Sequence, residues 1–210
     1  MTGPAPRRPR RPAMLDPRAT DQLPGDLDPT RRAEVAHTTA AALVHRGRAT
    51  QDADVHLRLI GLVEDEGLDT IAALWSDSPA ASLPGALWRL YLLREWVRRD
   101  ASAVAERYRL GTARAEVHDV VAGVASPPGP AEVRALADAV LSGVYTADLA
   151  GALERAAAFC RVVATGSAVD ADLVDDSDLA GRITRGASGL VRTAEELEGA
   201  AGLWRTGGLE

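Results

Sequence analysis

Lysine and asparagine are absent from this chain, and all 24 of its basic residues are arginine. Isoleucine stands at three positions only, Ile60, Ile71 and Ile183. Together these scarcities are the mark of GC-rich coding, so arginine here carries no independent message about a planar, bidentate cation. The single cysteine, Cys160, excludes an internal disulfide framework and a cysteine zinc site. It lies in an Ala/Val-rich run with no neighbouring histidine, and reads as a small buried hydrophobe rather than a nucleophile. Aromatics are few: four Trp, three Tyr and one Phe. The core must therefore be mainly Ala, Leu and Val, which suits closely packed helices. No apolar run approaches the roughly 18 residues of a membrane span. The early prolines leave no room for a signal-peptide core. A cytoplasmic protein without a membrane partner is the expectation.

What is present reads as an all-α chain, an irregular bundle of about eight helices. Residues 1–25 hold five Arg, two Asp and six Pro. That composition predicts a disordered basic tail. A helical domain is expected over 26–166. Asp28-Pro29 reads as a cap and first turn of a helix reaching about Arg46. A second helix is expected over about 52–66, and a short third carries Ile71, Leu74 and Trp75. The segment 84–99 is apolar nearly all round, with Leu87, Leu90, Leu93 and Val97 among its residues, and is expected at the centre of the bundle. Two short helices, about 101–110 and 113–124, are expected to part at Gly111-Thr112. Pro130 opens the next helix, with Val133, Leu136, Val140, Leu141 and Val144 as its stripe. Thr146 is expected to cap the eighth, and Gly166 to end it.

The last segment, 167–210, reads as an acidic linker followed by a docking helix. Asp170, Asp172, Asp175, Asp176 and Asp178 make the acidic run. Leu190, Ala194, Leu197, Ala201 and Trp204 recur at heptad spacing, but seven Gly between 181 and 208 predict a weakly structured helix that orders only by docking. One expectation is that the acidic run folds back over a basic patch elsewhere in the chain.

The search for chemistry yields no catalytic residue, cofactor or metal. Glu34-x-x-His37 has no second copy to complete a di-iron set. The aspartate run lacks the glycine a calcium loop requires. There is no Gly-rich phosphate loop and no nucleophile elbow. The one charge feature with content is 89–114, where seven Arg face three acids inside a chain of net charge −6. Its candidate binding residues are Arg89, Arg94, Arg98, Arg99, Arg107, Arg109, Arg114 and Tyr108. Arginine interleaved with aromatics suits an acidic protein surface or phosphates.

Residues 103–121 resemble a helix-turn-helix, with Ala105, Leu110 and Ala115 in its core positions, Arg109 where the turn glycine belongs, and Ala115 where Val or Ile is usual. That resemblance implies DNA binding. Over its whole length the chain resembles helical actinobacterial proteins, on stretches such as Leu83-Pro-Gly-Ala-Leu-Trp-Arg-Leu-Tyr-Leu-Leu-Arg94 and Ala150-Gly-Ala-Leu-Glu-Arg-Ala-Ala-Ala-Phe-Cys160. No activity and no site residue come with it. The function expected is a non-enzymatic interaction or regulatory protein with an acidic protein as partner. A DNA-binding regulator is the alternative, and an enzyme with a helical pocket the second.

Overall fold

The computed structural model describes residues 28–44, 67–115, 128–142 and 148–210. The expected tail at 1–25 and the expected helix at 52–66 lie outside them, as do Val144 and Thr146. Seven α-helices are formed among the described residues: α1 (Pro29–Val44), α2 (Leu68–Leu74), α3 (Leu83–Arg99), α4 (Ala101–Ala115), α5 (Pro130–Leu141), α6 (Leu149–Asp172) and α7 (Ser177–Arg205).

The starts follow from capping chemistry. Asp28 accepts from Thr30 N at 3.1 Å ahead of α1. Ser82 Oγ accepts from Gly85 N at 3.3 Å ahead of α3. At α5, Pro130 takes the first turn and the Glu132 carboxylate reaches back to Gly129 N at 2.9 Å. Asp148 heads α6, accepting from Ala150 N and Gly151 N. Each cap satisfies backbone donors that a helix start leaves without intrahelical partners.

α3 is the hub, as its sequence predicts. Leu87 and Leu90 are fully buried, and Leu93 and Val97 nearly so. It packs on α5, α1, α7, α4, α2 and α6. Trp75, also fully buried, ties α2 to α1 by donating its indole N–H to Thr39 Oγ1 at 3.1 Å.

Three sequence expectations need correction. The break at Gly111-Thr112 does not exist: α4 runs without interruption to Ala115. Gly166 does not end α6, which continues to Asp172, so the boundary at 166/167 falls inside a helix. The C-terminal segment is not weakly structured, for α7 is a helix of 29 residues lying along α6 in the largest interface of the molecule. The aspartates are not a free linker either. Asp170 and Asp172 belong to α6, Asp176 caps α7, accepting from Asp178 N and Leu179 N, and Asp178 sits in its first turn.

The two misread glycines have a common reason. A Cβ on Gly111 would lie 2.0 Å from the Val162 carbonyl oxygen, and one on Gly166 would lie 1.7 Å from that of Arg107. Each glycine faces the backbone of the other helix, so α4 and α6 cross in direct backbone contact. Removing the side chain brings the helices together without ending either of them. Gly85, at the start of α3, likewise admits the Pro79 carbonyl oxygen, 1.8 Å from where its Cβ would stand.

α6 and α7 are antiparallel, pinned by Arg161–Glu198 and Glu154–Arg205. On α7, Ala187, Ala194 and Ala201 are buried at seven-residue steps. Leu197 and Ala200 are also buried, with Leu190 and Trp204 packed against the core, so the heptad stripe read from the sequence does dock. A Schellman turn closes α7: Gly207 has φ 73°, and Gly208 N donates to Leu203 O at 2.8 Å. No helix among the described residues is long and apolar enough to cross a membrane.

Two stability tests follow. Leu90→Ala should cost about 2–5 kcal/mol in urea unfolding, as for other core leucines. Gly166→Ala should destabilise by about 1–3 kcal/mol or more, because backbone must yield to the new methyl. Gly199→Ala, exposed and with nothing near its Cβ position, should stabilise by about 0.5–1 kcal/mol. Equal effects of the two glycine substitutions would show that the α4–α6 contact is not a close one.

Candidate functional site

The arginines expected to form a binding patch are largely paired with carboxylates of the same chain, though Arg98, Arg99 and Arg109 stay more than half exposed. Arg89 donates to Glu196 on α7 at 2.6 Å. Arg94 bonds Asp138 of α5 and, at 2.6 Å, Glu95. Arg98 makes a forked contact with Glu95, and Arg99 approaches the same carboxylate at 3.6 Å. Arg107 pairs with Asp170 at 3.1 Å, and Arg109 with Glu106. Arg114 forms no ion pair among the described residues. Tyr108 is half-buried and stacks on the buried Phe159, with ring centroids 5.8 Å apart, so it faces inward. The helix-turn-helix reading loses its geometry as well. Ala105, expected in its core, is exposed, and the expected turn is helical, with Thr112 Oγ1 bonding Tyr108 O at 2.9 Å. Of the acidic run, Asp170 alone is ion-paired to a patch residue among the described contacts.

At the centre of the patch is Glu95, a mostly buried carboxylate. The Arg98 hydrogen bond, with the charges of Arg98, Arg94 and Arg99, holds its carboxyl below the usual glutamate value, against the opposing effect of burial. Nearby, the Tyr91 hydroxyl donates to Asp69 at 2.9 Å. Burial, and then that bond, push its ionisation upward. Both groups are held by partners within the fold. The Cys160 thiol is pushed up to about 12 by burial. Among the described residues no three His, Cys, Asp or Glu side chains are grouped to hold a metal.

Two openings are found among the described residues: one of about 390 Å³ between α1 and α2, with Arg32, His37 and Asp77 in its lining, and a larger one where the sequence reading did not look. A groove of about 480 Å³ runs between the N-terminal half of α7 and the α3–α4 corner. Trp96 of α3 and Arg107 of α4 form one side; Leu179, Ile183, Gly186, Leu190 and Thr193 of α7 form the other, flanked by Arg182 and Arg192. No carboxylate lines it among the described residues. Arg182 and Arg192 form no ion pair there, and neither does Arg185 one turn further along α7 from Arg182. Of the residues expected from the sequence, the groove takes up Arg107 alone. The missed signal was the spacing 179, 183, 186, 190, 193, 197, 200, 204, an unbroken alternation of four and three. Glycine at 186 and threonine at 193 disguised it, because neither counts as apolar in a stripe.

No protein-family model matches the chain, and no curated protein or solved structure is significantly similar to it.

The Glu95 cluster gives a pH test. A carboxyl depressed in the folded state contributes stability above its unfolded pKa, and that contribution is lost as pH falls through the folded value. Glu95→Gln should therefore destabilise by about 1–2 kcal/mol at neutral pH. The difference from wild type should shrink in melts taken progressively below pH 4.5, the ordinary glutamate value. A difference constant down to strongly acidic pH would remove the ion cluster as its cause.

Proposed function

We propose that this chain is a non-enzymatic interaction protein and that its partner is a protein with an acidic surface, received in the groove between α7 and the α3–α4 corner. The observation that carries this reading is a set of three arginines placed around an opening that no carboxylate lines. Arg182 and Arg192 flank one side of the groove and Arg107 stands on the other, with no carboxylate in the lining. Asp170 offsets part of Arg107's charge; on α7, Glu196 and Glu198 are paired with Arg89 and Arg161, and Glu195, a turn from Arg192, is the one glutamate of α7 with no ion pair among the described residues. An anionic ligand would find guanidinium groups on both sides of the opening. Trp96 beside the arginines is the combination that recurs at the energetic centres of protein interfaces.

The reach of the charges favours a macromolecule over a small anion. Arg182 and Arg192 are ten residues apart on one helix. At ~1.5 Å per residue that is ~15 Å, beyond the span of one phosphate or carboxylate. The test is fluorescence anisotropy with labelled poly-L-glutamate and, separately, a labelled DNA duplex. Poly-L-glutamate should bind, and the double variant Arg182→Glu/Arg192→Glu should weaken it about tenfold or more, with folding verified by circular dichroism. Binding indifferent to that reversal would defeat the proposal. So would a duplex that binds more tightly than poly-L-glutamate and loses affinity on the same reversal.

A further inference from the structure

We infer that the element received in this groove is an amphipathic helix with acidic flanks, laid against α7 as a coiled-coil strand would be. The inference rests on the acidic-partner reading and adds the shape of the ligand. Its basis is the difference between the two halves of α7. The four–three seam runs the full length of the helix. In the C-terminal half it is closed, with Leu197 and Ala200 buried and α3 supplying Arg89 to Glu196. In the N-terminal half the same seam is only partly covered: Ile183 is buried and Leu190 and Thr193 are half-buried, but Leu179 is 38% exposed and Gly186 is exposed. From Leu179 to Thr193 this partly covered stretch spans two heptads, or ~21 Å at ~1.5 Å per residue.

Three features of that stretch select a helix. Positions that alternate by four and three, apolar at Leu179, Ile183 and Leu190, match knobs from a second helix, whereas an extended chain would meet side chains at a period of two. Gly186 and Gly189 have nothing within 4 Å of where a Cβ would stand, so a partner's backbone or a large side chain finds room there. The closed half supplies the charge rule. There an α3 arginine meets an α7 glutamate along the seam, while in the open half α7 itself carries the arginines, so the complementary strand carries the acids.

The probe is a synthetic peptide of three heptads with Ile and Leu at the seam positions and Glu at the flanks. It is compared with a version carrying Lys flanks, a version with proline at its centre, and poly-L-glutamate. The Glu peptide should bind at least tenfold more tightly than all three, and its helicity should rise on mixing. Gly186→Trp, which fills the seam, should weaken it at least tenfold while leaving the protein's own melting transition in place. Arg182→Glu/Arg192→Glu should turn the preference toward the Lys peptide. Equal binding of the proline peptide or of poly-L-glutamate overturns the helical ligand and leaves the acidic partner standing. Failure of every acidic probe overturns both. Indifference to Gly186→Trp places the ligand elsewhere and overturns the inference. A concentration-dependent dimer in sedimentation, abolished by Gly186→Trp, also overturns it by making a second copy of this chain the occupant.

Discussion

The backbone contact between α4 and α6 sets the geometry on which the candidate site depends. Gly111 and Gly166 give up their side chains, and the helix axes close until each glycine touches the other helix's carbonyl. That approach holds Arg107, one turn before Gly111, against Asp170, one turn beyond Gly166. It also places α4 beside α6 while α7 lies along α6 in its own interface. α4 and α7 thus become the two walls above α6, and the groove is the space their separation leaves. Any side chain at 111 or 166 would push α4 outward, widening the groove and parting Arg107 from its partner.

Charge is distributed over this frame by function rather than by segment. The net charge of −6 hides a division within α7. Its C-terminal half carries glutamates that hold it to α3 and α6, through Glu196 with Arg89 and Glu198 with Arg161. Its N-terminal half carries Arg182, Arg185 and Arg192 and has no acid after Asp178 until Glu195. The arginines of α3 and α4 look in sequence like a surface for binding, yet most are engaged in fastening α3 to α5, α7 and its own Glu95. A run of like charge states how much charge is present locally. Whether that charge faces solvent, a carboxylate or a ligand is decided by helices distant in sequence.

The sequence was most legible where periodicity and capping agreed. The all-round apolar run of α3 predicts its central place, and Pro130 marks the start of α5. It was least legible at glycine. A helical glycine near a polar residue reads as a stop, and the readings at Gly111 and Gly166 followed that rule and were overturned. Both residues are glycine for an external reason, the approach of another backbone, and one sequence holds no sign of that neighbour. The same limit hid the groove. Five glycines within α7 argue against its stability, but its alanine stripe at 187, 194 and 201 buries and outweighs the propensity cost.

The glycines of α7 therefore divide into two kinds with different physical meanings. Gly199 and Gly202 are exposed on the half already closed by α3 and α6, and cost helix stability without admitting anything. Gly186 and Gly189 carry the same cost on the half that lines the groove, where a larger residue would fill the space between Ile183 and Leu190. A leucine at 186 would complete the seam and give α7 a continuous apolar ridge, which invites nonspecific association in a helix left open to solvent. Glycine keeps the position open without presenting an apolar side chain, and the flanking arginines repel a basic strand that would otherwise fit the same spacing. On the proposed reading, selectivity at such a seam would come as much from what the arginines refuse as from what the leucines attract.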